Sequence, residues 1–149
     1  MEKALRKTLT FGRFGKIAES RSKTMRAIKS RGNRTTEVPF RLALVRRRIR
    51  GWKMHFRIGG VRPDFYFPDQ KLAVFIDGCF WHGCPKCGHT PRTNASFWRK
   101  KIELNKQRDR RDCLDLKMSG IQVRRFWEHD ILSNVNNCIE ALDLREYDI

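Results

Sequence analysis

The stretch Arg62-Pro63-Asp64-Phe65-Tyr66-Phe67-Pro68-Asp69-Gln70-Lys71-Leu72-Ala73-Val74-Phe75-Ile76-Asp77 decides how the chain folds. Two β-forming runs, 62–67 and 71–77, meet at Pro68-Asp69-Gln70, residue types that turn a chain, so the segment predicts a hairpin. Its second arm is apolar at every position from Leu72 to Ile76, the pattern of a strand covered on both faces and therefore interior to a sheet. Pairing Phe67 with Leu72 sets Asp64 opposite Phe75, with Asp77 two residues further along the same face. Diagonal neighbours in such a pair stand about 7–8 Å apart, within reach of one shared divalent ion. A slip of one residue would send the carboxylates to opposite faces. Hard oxygen donors suit Mg²⁺, which activates water and offsets charge on a phosphoryl oxygen. Taken singly, Asp64 reads more readily as a turn cap after Pro63, and Asp77 as a strand end before Gly78, than as catalytic groups; their company with His82 raises the odds.

Upstream, a strand is expected over 53–57, before Gly59-Gly60. A helix opening at Thr35 or Thr36 carries Glu37, Phe40, Leu44 and Val45 and ends in Arg46-Arg47-Arg48, with Pro39 tolerated in its first turn. A shorter helix runs from Ser22 to Arg31 with Met25 and Ile28 on one side, stopped by Gly32-Asn33. Residues 1–20 are basic and without periodicity, and read as a mobile arm ahead of a single domain over 21–149. Downstream, a helix over 94–118 stops at Gly120, a strand follows over 121–126, and a closing helix over 128–144. The order αα-βββ-α-β-α predicts an α/β protein with a mixed sheet flanked by helices.

Between the hairpin and the long helix lies Cys79-x4-Cys84-x2-Cys87, three soft ligands too close together for long-range disulfides and well spaced for zinc. The fourth ligand is His89 within the loop or His129 at the start of the last helix. Thiolate-rich ligation favours a structural role. Cys113 and Cys138 fall on helices as small core residues. His82, five residues past Asp77, is placed to shuttle a proton near neutral pH. Phe80-Trp81 and Trp98 are aromatics beside a basic surface, the kind that stacks on or wedges between bases. On the long helix, steps of three and four link Trp98, Ile102, Asn105, Asp109, Cys113 and Leu116. A buried Asn or Asp is costly without a partner, so Asn105 and Asp109 are expected to face a site, the alternative being a stripe rotated by one position with both facing water.

The charge balance narrows the partner. With 33 Lys+Arg against 16 Asp+Glu, the chain carries a formal +17, and self-repulsion of that size opposes compaction unless a polyanion neutralises it. Nucleic acid is the first candidate, since phosphate contacts release counterions; charge alone also admits an anionic membrane surface or ribosomal RNA. No apolar run approaches a spanning helix and no signal core follows Met1. With an odd number of cysteines, the expected compartment is reducing and cytoplasmic.

Gly78-Cys79-Phe80-Trp81-His82-Gly83-Cys84, Phe97-Trp98-x2-Lys101, Arg108-Asp109-Arg110-Arg111-Asp112, Arg62-Pro63-Asp64-Phe65 and Ser22-Lys23-x-Met25-Arg26-Ala27-Ile28 together resemble the very-short-patch-repair (Vsr) DNA mismatch endonucleases, in the family's order from about residue 20 to 131. The resemblance implies a restriction-endonuclease-like PD-(D/E)XK fold with a structural zinc loop. It also implies Mg²⁺-dependent, strand-specific hydrolysis of the phosphodiester 5′ of the thymine in a T·G mismatch left by deaminated 5-methylcytosine. By the same resemblance Asp64 is the central metal ligand, and His82 acts on the hydrolytic water, oriented by Asp109. Glu37 reaches a water of the metal site. Phe80, Trp81 and Trp98 wedge into the duplex, Asn105 helps read the mismatch, and Met25 and Ile28 grip the minor-groove side. Where the best-known members carry Thr-His, this chain has Ile76-Asp77, leaving the Ile76 main-chain oxygen and Asp77 as candidate magnesium ligands. A family zinc histidine is replaced by Cys84, and a cysteine after Trp-Glu by His129, which favours His129 as fourth ligand beside Cys79, Cys84 and Cys87. The implied protein is a monomer at the bacterial nucleoid, acting on mismatched duplex DNA, with mismatch-repair proteins and a cytosine-5 DNA methyltransferase as partners. The alternatives are a nuclease of the same fold cutting paired DNA at a fixed site, and a zinc DNA-binding module without activity.

Overall fold

A computed structural model of the chain describes residues 36–88 and 90–144. The basic arm, the helix expected over 22–31 with Met25 and Ile28, and His89 lie outside the described residues.

Helix α1 (Glu37–Arg46) presents Phe40, Ala43 and Leu44 to the interior. Glu37 falls on that same stripe, one turn before Phe40, and is therefore carried into the molecule, 4% exposed. Strands β1 (Lys53–Met54), β2 (Phe65–Phe67) and β3 (Leu72–Asp77) follow, then helix α2 (Ala95–Met118), strand β4 (Gln122–Trp127) and helix α3 (Glu128–Glu140). The sheet runs β1-β2-β3-β4, antiparallel at the first two junctions and parallel between β3 and β4, hence mixed. Among the described residues no helix is long and apolar enough to cross a membrane.

The expected register is the observed one: Phe67 pairs with Leu72 and Phe65 with Val74. Every residue of β3 is buried, because the strand lies between two layers. On one side Phe65, Phe67, Val74 and Ile76 pack against Phe40 and Leu44 of α1 and Ile131 and Ile139 of α3. On the other, Ala73 and Phe75 pack against Leu116 and Ile121. Phe40, Phe65 and Phe67 are fully buried, each contributing roughly 1.5–3 kcal/mol of burial free energy.

Three boundaries differ from the sequence pattern. β1 stops at Met54 because His55 takes a left-handed backbone, φ 52°, which leaves the extended geometry of a strand. α2 ends at the expected Gly120, whose φ of 78° a glycine adopts without strain, and Ile121 then donates its N–H back to the Leu116 carbonyl instead of joining β4. α3 closes at Glu140, four residues short of the expected end, and is interrupted at Asn134, where φ −160° and ψ 90° break the helical path.

Candidate active site and metal centre

Two groups of titratable side chains meet at the carboxyl end of β3. The first forms around Asp64. This residue sits just before β2, where the pleat no longer dictates its direction, and its Oδ2 accepts the Ile76 N–H at 2.7 Å. Its carbonyl accepts the His55 N–H at 3.2 Å, and the His55 ring Nε2 donates to Glu37 Oε2 at 3.0 Å. One ligand atom each from Glu37, His55 and Asp64 lies within 4.8 Å of the others. Burial pushes the Asp64 carboxyl up to about 7. The Ile76 hydrogen bond opposes that shift, and the negative charges of Glu37 and Asp77 reinforce it.

The second group, Asp77, His82 and Asp109, forms around Arg125. Parallel pairing sets Arg125 beside Phe75, two residues before the partner of Asp77 and on the same face. Its guanidinium lies 4.3 Å from the Phe75 ring centre and forks onto Asp77, donating at 2.8 and 2.7 Å to the two carboxylate oxygens. It also reaches Asp109 at 3.2 Å. Asp109 accepts a 2.5 Å hydrogen bond from His82 Nδ1. Burial works to raise the Asp109 carboxyl, but the His82 bond and the charges of His82, Arg125 and Arg108 hold it net below its ordinary value. Asp64 and Asp77, expected to share one ion, fall here in separate clusters, and both Asp77 oxygens accept from an arginine that the sequence reading missed. A cleft of about 280 Å³ opens here, lined by Asp77, His82, Gly83, Lys106, Asp109 and Arg125 among others.

The stripe on α2 has the expected phase, with Trp98 and Leu116 buried and Asn105 and Asp109 turned toward the site. Asn105 Nδ2 donates to the Trp81 carbonyl at 2.9 Å, tying α2 to the loop that carries His82. Phe80 meets Trp81 edge-on at 5.2 Å and Trp98 at 5.4 Å. Lys101 Nζ lies 5.2 Å from the Trp81 ring centre. Trp98 departs from the expectation of a wedge at the surface. Only 7% exposed, it forms the floor on which the half-buried Phe80 and Trp81 rest.

All five cysteines are free thiols. Cys79, Cys84 and Cys87 place their Sγ atoms 3.4, 3.5 and 3.3 Å from His129 Nδ1. A tetrahedral zinc with ordinary Zn–S and Zn–N bonds separates its S and N ligands by about 3.5 Å, so this donor set fits that ion. His129 Nε2 stands 3.3 Å from Asp130 Oδ1, a carboxylate of the kind that orients a ligating imidazole. The loop closes tightly: Cys84 N–H donates to the Cys79 carbonyl and Gly88 N–H to the Cys84 carbonyl. A Cβ on Gly88 would come 2.5 Å from that last oxygen. Burial raises the Cys84 thiol, yet N–H groups of Cys87, Lys86 and Gly88 and the Cys79 side chain bring it net down to about 7, toward the thiolate a metal needs.

His55 and Arg125 escaped the sequence reading. His55 lies past the end of β1 in a left-handed position no periodicity announces. Arg125 alternates with the apolar Phe126, but its partners follow only from a crossover register.

Known proteins resemble the chain as follows. The family model for DNA mismatch endonuclease Vsr matches residues 16–87. The type II nicking enzyme V.NaeI of Lentzea aerocolonigenes is 41% identical over 118 residues, covering 76% of this chain and 70% of that one. The DNA mismatch endonuclease Vsr of Escherichia coli is 37% identical over 132 residues, covering 85% and 80%. Among solved structures, the catalytic domain of the homing endonuclease I-Bth0305I superposes with a TM-score of 0.48 at 19% identity, covering 72% of this chain and 88% of that one.

Proposed function

From the premise that the chain belongs to the DNA mismatch endonuclease Vsr family, whose fold is restriction-endonuclease-like, we propose that it nicks one strand of duplex DNA at the phosphodiester 5′ of a T·G-mispaired thymine. The observation that carries this reading is the meeting, at one end of β3, of an acidic cluster around Asp64 and a His82–Asp109 pair, beside the Phe80–Trp81 loop.

The donor set around Asp64 fits Mg²⁺: the carboxylates of Asp64 and Glu37 crowd together, and the charges of Glu37 and Asp77 add to burial in pushing the Asp64 carboxyl up to about 7. Asp64 and the Ile76 main-chain oxygen would hold the ion, with Glu37 beside it. When bound, the ion supplies the charge that acidifies a water and offsets charge growing on the phosphate. His82 gives its Nδ1 proton to the bond with Asp109, which leaves Nε2 as the nitrogen that accepts a proton from the attacking water. Asp109 holds that tautomer and orientation. Asp77, forked by Arg125, belongs with this proton-handling group and is not needed as a metal ligand. Phe80 and Trp81, resting on Trp98, are the wedge. Asn105 acts by fixing the Trp81 carbonyl.

The zinc set of Cys79, Cys84, Cys87 and His129 pins the aromatic loop to the start of α3. Purified protein should contain one zinc per chain, and Cys84→Ala should melt well below the parent. An equal melting temperature in metal-replete buffer would remove the staple.

A second reading, nicking of fully paired DNA at a fixed sequence, is favoured by relatives described as type II nicking enzymes. A panel of end-labelled duplexes, matched and mismatched, separates the two. A T·G duplex should be nicked at least about 100-fold faster than its paired counterpart, a transition-state difference near 2.7 kcal/mol; equal rates would leave the second reading standing.

A further inference from the structure

We propose that Lys106 holds the scissile phosphate, a role that rests on the nuclease reading and adds to it a cation outside both acidic clusters. Among the charged residues lining the cleft, Asp77 is neutralised by Arg125, and Asp109 by His82 and Arg125. Arg110 pairs with Glu103 at 3.3 Å on the exposed side of α2. Lys106 is different: among the described residues no carboxylate lies within ion-pair distance of it, although it is half-buried and lines the cleft with His82.

Its direction is set by close packing. Gly83 holds φ +66°, and a Cβ built there would lie 2.5 Å from Lys106 Cε and 2.8 Å from Ile102 Cγ2. The lysine stem therefore runs across the bare face of the glycine next to His82, in space that any other residue would fill. Packing covers the lysine stem and leaves its ammonium in the cleft, the usual disposition of a long cationic side chain, where it can take an incoming anion. In a DNA-cutting cleft the anion that must sit beside His82 is the phosphate under attack. Asn105 and Asp109 flank Lys106 within the same turn of α2, so one helix fixes the loop, orients the base and presents the cation.

The test is a cycle between this side chain and the charge on one phosphate. Wild-type protein and the Lys106→Met and Lys106→Arg variants are titrated, in magnesium-free buffer, with T·G duplexes carrying either the natural linkage or a neutral methylphosphonate at the bond the wild type nicks. Wild type should lose about tenfold in affinity on neutralisation, the scale of one charge-assisted hydrogen bond. Lys106→Met should lose less than about twofold, and Lys106→Arg should behave as wild type. With magnesium and saturating DNA, Lys106→Met should also nick at least about 30-fold more slowly in a single turnover. Equal discrimination by wild type and Lys106→Met, or a coupling that appears only with a neutral linkage at a flanking position, overturns the proposal while wild-type nicking leaves the nuclease reading intact. Failure of the wild type to nick any duplex overturns both.

Discussion

The two acidic clusters at the end of β3 are built from the same residue types and balanced in opposite ways. Around Asp77, Arg125 supplies a forked cation and His82 a proton donor, so Asp109 is held below its ordinary value. Around Asp64, the charges felt by the carboxyl are those of Glu37 and Asp77, and burial drives it up to about 7. The Asp77 cluster holds a fixed guanidinium on its central carboxylate, whereas the ring in the Asp64 cluster, His55, sits on Glu37. In the proposed function, these two neighbouring sets of carboxylates take different tasks, proton handling and metal holding, from their surroundings.

The sharpest way to break this contrast is at its unbalanced side. Asp64→Asn should cut nicking of a T·G duplex by more than about 1,000-fold, above roughly 4 kcal/mol in the transition state, while DNA affinity without magnesium stays near wild type. Magnesium-dependent nicking retained by the variant would refute the metal assignment. On the balanced side, Arg125→Met removes the forked partner of Asp77, leaving His82 as its ion-pair partner among the described residues, and strands a carboxylate 6% exposed. Stripping one partner from a buried pair costs about 3–5 kcal/mol, readable as a lowered urea midpoint. A variant as stable as the parent would show that Asp77 is not carried by the arginine.

The smallest effect is a pH dependence. Folding raises the Asp64 carboxyl from 3.8 to about 7, so the folded state favours its protonated form. The stability this contributes is complete below about pH 4 and is lost as pH climbs through 7, by at most a few kcal/mol. Magnesium-free protein should therefore weaken over that window, and Asp64→Asn should flatten the profile. A parallel slope in both proteins would mean that another group titrates.

Legibility followed the range of the interaction. The β2–β3 register could be read because alternation and a turn at Pro68-Asp69-Gln70 leave one pairing that buries Phe65, Phe67 and Val74 together. Asn105 and Asp109 could be read because helical spacing ties them to Trp98 and Leu116. The separation of Asp64 from Asp77 into two clusters could not. Asp64 lies one residue outside β2, where its carboxylate is free to turn to the Ile76 amide. The burial of Trp98 also had no local sign, since stripe spacing gives a direction but not what lies above it.

Local chemistry in the chain was enough to establish the zinc ligand spacing of Cys79, Cys84 and Cys87, the buried central strand, the polar face of the long helix and a strongly cationic surface. These depend on neighbours a few residues apart, whose geometry the backbone repeats enforce. Tertiary structure alone decided that the His129 ring actually meets the three thiols across 42 residues from Cys87, as the resemblance had favoured, that Arg125 claims Asp77, that His55 stands against Glu37, and that Lys106 crosses Gly83. Each of those contacts joins elements whose relative placement is settled by packing on the two faces of β3, and no periodicity along the chain encodes it.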